Sequence, residues 1–147
     1  MQIDNNKALA DGLELFKQSK WHTVYNVNDI HRYLIAPIKN NRIRLYYNQD
    51  DIPIGLVTWC WLDKEAGNNL LQDQYYITEN DYIADDKEEL WGIEFVTPYG
   101  DARQVMSMIR KEHNKVYQRQ EKINWRRLHD PAKRHIREFK NEPKSLS

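Results

Sequence analysis

The sequence predicts a single α/β domain of the α+β type, in which a mixed, mostly antiparallel sheet is flanked by helices. Apolar residues recur at helical spacing in two segments, alternating or continuous apolar runs indicate strands between them, and turn-forming residues separate the segments. The 147 residues suit one domain. We place that domain at residues 1–140 and expect residues 141–147 to form a disordered tail.

Two helical segments are predicted near the N-terminus. Apolar side chains at helical spacing, including Leu9, Leu13 and Phe16, predict a helix over residues 7–18. A second, short helical or mixed segment is expected over residues 28–38. It should be halted by its proline at position 37, because proline lacks the amide hydrogen that a helix interior needs.

A β-hairpin is predicted next. Residues 42–47 alternate in the manner of a strand, residues 48–51 form a turn, and residues 52–62 form a long apolar run typical of a buried strand. Trp59 and Trp61 lie in that run and are expected in the core, as is Trp91 further along the chain.

An acidic, weakly periodic stretch follows at residues 63–90. It predicts a short helix, a short strand around residues 75–78, and exposed loops. Residues 90–97 then form a third well-defined strand, which ends at a Pro-Tyr-Gly turn.

The last third of the chain is predicted to contain a long helix and a late strand. Asp101 is a favourable residue to cap the start of a helix that runs to about Gln118. One further strand is expected over residues 135–139.

Composition excludes several classes of protein. Apolar runs fall far short of the roughly 18 residues of a membrane span, and no apolar signal region is visible at the N-terminus, so we expect a cytoplasmic protein. The single cysteine, Cys60, forms neither an internal disulfide nor a cysteine-based zinc site. The five histidines lack zincin spacing, so we expect no dedicated metal site, and neither phosphate-binding glycine motifs nor a nucleophile elbow occurs.

Charge is unevenly distributed along a chain whose net charge is zero. Residues 102–147 contain 13 Lys and Arg against five Asp and Glu, whereas residues 1–101 contain nine against 17. A basic C-terminal third suggests an acidic partner. The alternative is a solvated helix face followed by a loose tail.

The junction at residues 97–102 argues against a standard coenzyme A donor. The element order is typical of the acetyltransferase-like acyltransferases, which bind the pyrophosphate of coenzyme A with an Arg/Gln-x-x-Gly-x-Gly/Ala loop at such a junction. Here the residues read TPYGDA, and Asp101 places a negative charge at the helix N-terminus that a phosphate would occupy. If the chain is an acyltransferase, we expect a different acyl donor.

Three stretches of the sequence resemble the RTX toxin-activating lysine acyltransferases, which take fatty acyl groups from acyl carrier protein. Ser19 and His22 match the Ser-x-x-His of that family. Residues 51–65 match its D-x-P…S/T-W…L…E run, with Thr58 and Trp59 at the S/T-W pair, and residues 91–101 (WGIEFVTPYGD) are similar to its W-x-I-D-x-x-x-P-F/Y-G-D. In order and spacing, the resemblance extends over roughly residues 10 to 140.

The resemblance implies that Ser19, His22 and Glu94 form the catalytic group. A lysine amine must lose a proton before it attacks a thioester, and a histidine can accept that proton or attack the thioester itself. A carboxylate would orient the imidazole and stabilise its charged form. Glu94 stands where the family has Asp and is one methylene longer. The alternatives are a surface histidine at a helix end, a half-exposed strand carboxylate, and a serine that only bonds locally or caps a turn.

The resemblance also implies the partners. These are acyl carrier protein as donor substrate, with no bound cofactor, and a protein substrate of which an RTX toxin is one candidate; a homodimer is left open. Basic residues on or near the last predicted helix are candidate contacts for the acidic carrier protein: Arg103, Arg110, Lys111 and Lys115.

Two other functions stay open on the sequence alone. Because Glu94 stands where the resembling family has Asp, a non-catalytic adaptor or inhibitor with the same fold is one alternative function. The basic tail, with Trp125 and Tyr117 as stacking groups, admits a nucleic-acid-binding module. The tail lacks a known nucleic-acid-binding motif, so we do not expect nucleic acid as a partner.

Overall fold

The computed structural model describes residues 4–117, 121–127 and 130–139, and the side chains of residues 4–112 and 122–125. The α-helices are α1 (Asn5–Gln18), α2 (Val27–Ile30), α3 (Ala36–Lys39), α4 (Lys64–Leu71) and α5 (Ala102–Tyr117). The strands are β1 (Ile43–Tyr47), β2 (Pro53–Leu62), β3 (Glu89–Val96), β4 (Glu121–Arg127) and β5 (Asp130–Phe139). A π-helical turn (His31–Ile35) joins α2 to α3, and a 3-10 turn (Glu79–Tyr82) follows α4.

The five strands form one sheet in the order β1-β2-β3-β4-β5. Neighbouring strands are antiparallel except β3 and β4, which are parallel over three residue pairs, from Leu90–Ile123 to Gly92–Trp125. Helix α5 connects these two strands, as a parallel pair requires. The mixed, mostly antiparallel sheet flanked by helices that the sequence predicts is confirmed.

Both faces of the sheet are covered by helices, which is why β2 is a continuous apolar run. Leu56 belongs to the hydrophobic cluster that contains Leu15 of α1, whereas the adjacent Val57 belongs to the cluster that contains Val105 of α5. Trp61 and Trp91 are buried, as expected. None of the helices in the described ranges has the length and apolar character needed to cross a membrane.

Most predicted elements of the first 117 residues are present, but Pro37 does not end its helical segment. The chain continues to Lys39 because the π-helical turn precedes Pro37 and places it in the first turn of α3. The Ala36 amide still donates to the His31 carbonyl oxygen in the π-helical pattern, so the helical backbone continues past the proline, which lacks an amide hydrogen.

One predicted strand is absent, and one observed strand was not predicted. Residues 75–78 form no strand, because local hydrogen bonds to Asp81 replace a ladder: the Tyr75 hydroxyl donates to its carboxylate at 2.8 Å, as does the Thr78 amide. Strand β4 was not predicted at all. The predicted strand at residues 135–139 is confirmed within the longer β5, whereas the predicted tail, residues 141–147, lies outside the described residues.

Candidate active site

The turn that follows α1 brings three polar side chains together. The Ser19 amide donates to the Phe16 carbonyl oxygen at 3.1 Å and ends the helix. The His22 amide then donates to the Ser19 carbonyl oxygen at 3.0 Å, and the Tyr25 amide to the His22 carbonyl oxygen at 3.1 Å. These successive turns place Ser19, His22 and Tyr25 next to Glu94, which lies near the C-terminal end of β3.

Ser19, His22 and Glu94 form a chain of hydrogen bonds. Ser19 Oγ lies 2.6 Å from His22 Nδ1, and His22 Nε2 lies 2.7 Å from Glu94 Oε2. His22 and Glu94 are each only 5% exposed. The structure therefore brings together the three residues that the sequence singled out, and neither the surface histidine nor the half-exposed carboxylate is found.

The hydrogens in this chain follow from the donor and acceptor capacity of each group. The Tyr25 hydroxyl donates to Glu94 Oε1 at 2.5 Å. An ionised Glu94 can only accept, so the contact at Oε2 needs the hydrogen on His22 Nε2. Nδ1 of a neutral His22 is then an acceptor, and it faces the Ser19 hydroxyl. The arrangement leaves a base at Nδ1 and a carboxylate that can stabilise the protonated imidazole.

Aromatic rings hold the imidazole in this orientation. Phe16 stacks on His22 with ring centroids 4.7 Å apart, and Tyr25 meets its edge at 4.9 Å. Tyr33, from the π-helical turn, lies 5.5 Å from Tyr25. The packed rings restrict rotation of His22 and exclude water from the contact with Glu94.

Sequence reasoning missed Tyr25. Burial raises the pKa of its hydroxyl far above the ordinary value, and the negative charge of Glu94 adds to the effect. The phenol therefore stays protonated and remains a donor at any physiological pH. The available signal was its spacing, three residues after His22, which lets a tight turn place both rings on one side.

A β-bulge directs Glu94 toward His22. On β2 and β3, Thr58 pairs with Glu94 while Trp59 pairs with Gly92, so Ile93 is an extra residue on β3. Such an extra residue changes the face to which the following side chains point. Glu94 consequently points to the face that carries α1, whereas strict alternation from Leu90 would have placed it under α5.

Thr58 stabilises the bulge, and sequence reasoning gave it no role beyond a motif position. The side chain is fully buried, and its Oγ1 accepts a hydrogen bond from the Glu94 amide at 3.0 Å. The bulge disturbs the regular ladder, and the hydroxyl gives this amide a partner that an apolar side chain would not.

Access to the site is through a cleft between the turn after α1 and the end of β3. Ser19, His22, Phe95 and Pro98 are among its lining residues. Phe95 also lines a neighbouring cleft on α5. The two clefts therefore meet at Phe95.

The predicted basic contacts lie on α5. Arg103, Arg110 and Lys111 are exposed, and Arg103 and Arg110 line the cleft that Phe95 shares with the site. The side chain of Lys115 lies outside the described residues. Asp101 directly precedes the helix, and its carbonyl oxygen accepts from the Val105 amide at 2.9 Å. Asp101 thus occupies the position directly before the first residue of the helix, as expected.

A largely apolar pocket lies between the sheet and α5, on the opposite face from His22. Its lining includes six large apolar side chains: Val57, Trp59, Leu90, Ile109, Ile123 and Trp125. The Trp125 ring lies against the Gly92 backbone, where an added Cβ would come within 2.1 Å of it. Only a glycine therefore permits this packing.

The cysteine and the other ionisable groups offer no competing site within the described residues. Burial raises the pKa of the Cys60 thiol well above its ordinary value, so it is a poor nucleophile. No three His, Cys, Asp or Glu side chains in the described ranges are grouped so that they could hold a metal ion. His31 is exposed.

A comparison with protein families gives a match over most of the chain. Residues 1–140 match the family model described as the RTX toxin acyltransferase family. No curated protein matches the chain. The match extends over nearly the whole chain and agrees with the resemblance seen in the sequence.

Proposed function

The chain belongs to the RTX toxin acyltransferase family, and from that premise we propose that it transfers a fatty acyl group from acyl carrier protein to a lysine of a target protein. The observation that supports the proposal best is the buried hydrogen-bonded chain of Ser19, His22 and Glu94. A buried histidine with one acceptor nitrogen and a carboxylate behind it is the arrangement that a general base needs.

In the proposed reaction, the neutral lysine amine attacks the thioester carbonyl carbon. The new C–N bond forms, the C–S bond breaks, and the amine proton passes to His22 Nδ1, directly or through the Ser19 hydroxyl. The imidazolium then gives a proton to the departing thiolate. Glu94 stabilises the imidazolium during this step, and its burial strengthens the interaction because little water screens it.

A second route uses Ser19 as nucleophile. Its hydroxyl lies within hydrogen-bonding distance of Nδ1, which is the geometry of an activated serine, and the acyl group would pass through a serine ester before it reaches lysine. Mass spectrometry separates the routes, because only the second leaves an acyl ester on Ser19. In a third route His22 itself attacks the thioester, which requires the Ser19 hydroxyl to move away from Nδ1.

Charge favours acyl carrier protein over coenzyme A as the donor. Asp101 at the start of α5 repels a diphosphate, whereas Arg103, Arg110 and Lys111 present positive charge to an acidic carrier.

The experiment that tests the proposal supplies alkyne-tagged acyl carrier protein to the full chain together with a co-expressed RTX toxin. Peptide mass spectrometry should locate the label on a lysine side chain. His22→Ala should abolish labelling, whereas the matched variant His31→Ala, at an exposed histidine, should not. Labelling from acyl-coenzyme A but not from acyl carrier protein would overturn the proposal that acyl carrier protein is the donor. Toxin binding without any labelling would favour the adaptor function.

A further inference from the structure

We propose that Tyr25 is a positioning residue for acyl transfer, whose hydroxyl holds the Glu94 carboxylate in the orientation that fixes the reactive form of His22. The inference rests on the proposed function. It concerns the hydroxyl group that donates a hydrogen bond to Glu94, and neither the family match nor the sequence motifs identify this group.

The geometry gives Glu94 two different donors, one at each oxygen. Tyr25 donates to Oε1 at 2.5 Å, and His22 lies 2.7 Å from Oε2. The carboxylate plane is therefore defined by two side chains that stand three residues apart on one turn. Removal of either donor leaves the carboxylate held at one oxygen only, so the carboxylate can rotate about the remaining contact.

The peptide bonds around Glu94 contribute a third point of attachment. The Glu94 amide donates to Thr58 Oγ1 at 3.0 Å, so the backbone is held where the side chain leaves the strand. A glutamate side chain has three rotatable bonds beyond this point, and Tyr25 restricts them near the far end. This restraint is what a side chain one methylene longer than aspartate needs.

Tyr25 also influences which nitrogen of His22 carries the hydrogen. With the Tyr25 donor on Oε1, Oε2 faces Nε2 and accepts its hydrogen. Loss of that donor lets the carboxylate turn, so a smaller fraction of neutral His22 should hold its hydrogen on Nε2. Of the neighbouring groups, Tyr33 packs on Tyr25, the Asp29 carboxylate acts on the Tyr25 hydroxyl through its charge, and buried Tyr82 lies within the field of Glu94.

Tyr25→Phe removes the hydroxyl and keeps the ring that packs on Phe16 and His22. We expect kcat to fall about 10- to 100-fold, the scale of one hydrogen bond to a charged group, with KM for both substrates within about threefold of wild type.

Tyr47→Phe is the matched control. Tyr47 also donates from its hydroxyl to a carboxylate, Asp11 Oδ2 at 2.6 Å, but lies on β1 outside the site. It should lose stability much as Tyr25→Phe does while keeping kcat. Equal kinetic losses in the two variants would reduce Tyr25 to a structural role.

Nitrogen NMR of the His22 ring separates this inference from the proposed function, because it reports the tautomer and needs no substrate. A smaller fraction of the Nε2-protonated tautomer in Tyr25→Phe, unchanged in Tyr47→Phe, supports positioning even if the wild type transfers no acyl group. An unchanged tautomer in Tyr25→Phe overturns the inference even if the wild type proves fully active.

Discussion

Thr58→Val tests whether the bulge on β3 depends on one hydroxyl group. Valine has the same shape as threonine but cannot accept a hydrogen bond, so the Glu94 amide would lose the partner that it has at 3.0 Å. Thr58 is fully buried, and water cannot replace that partner without disturbing the sheet. An unsatisfied buried amide costs about 1–3 kcal/mol in the free energy of unfolding.

Thr58→Ser is the matched control, because it keeps the acceptor oxygen and removes only a buried methyl group. That loss is worth about 1 kcal/mol. The two variants should therefore have similar stability, or the valine variant somewhat less, and the distinction lies in activity. Thr58→Val lets β3 return toward regular pairing and turns Glu94 away from His22, so acyl transfer should fall by more than tenfold, whereas Thr58→Ser should retain most of it.

Urea unfolding followed by circular dichroism gives the stability difference, and transfer from tagged acyl carrier protein gives the activity. A loss of about 2 kcal/mol corresponds to a fall of roughly 4–8 °C in the melting temperature of a domain of this size. If Thr58→Val is as active as Thr58→Ser, the hydroxyl does not hold the bulge, and another contact must direct Glu94.

Three further predictions concern the site and the basic helix. His22→Ala should reduce acyl transfer by about 10²-fold or more. Because the His22 ring is buried, the variant should also lower the free energy of unfolding by about 2–4 kcal/mol, as measured by urea unfolding. His31→Ala, at an exposed histidine, should change the free energy of unfolding by under about 0.5 kcal/mol. Glu94→Gln should be far more damaging in the transfer assay than Glu94→Asp, because a neutral amide cannot stabilise the protonated imidazole. Equal activity of the glutamine variant would reject the pairing. Reversal of Arg110 and Lys111 to Glu should weaken the binding of acyl carrier protein mainly by lowering the association rate, which stopped-flow kinetics measures. Titration calorimetry should find that the wild type binds acyl carrier protein more weakly at high salt. Salt-insensitive binding of acyl-coenzyme A, without binding of acyl carrier protein, would contradict this prediction.

The sequence predicted the helices and strands that depend mainly on residues close together in the chain. The helix over α1 and the hairpin of β1 and β2 follow from spacing and turn residues, because helices and hairpins form from neighbours in the chain. Strand β4 was missed because charged residues interrupt its pattern, and its pairing with β3 is set by the distant crossover of α5. The strand expected at residues 75–78 failed because Asp81 supplies its hydrogen bonds locally.

The candidate site was predictable in its members but not in its geometry. Ser19, His22 and Glu94 could be named from motif spacing, and the structure places them in contact. Tyr25 and Thr58 could not be assigned, since both act on Glu94 across the fold. The bulge is invisible to an alternation argument, which assigns Glu94 to the wrong face of the sheet.

The contact between His22 and Glu94 joins residues 72 positions apart in the chain, which has a consequence for synthesis. At about 5–20 residues per second, a ribosome adds Glu94 roughly 4–14 seconds after His22. During that interval the nascent N-terminal segment carries its serine and histidine without the strand against which they are buried. His22 therefore acquires its carboxylate partner only when β3 docks, so an incompletely translated chain carries the histidine without that partner.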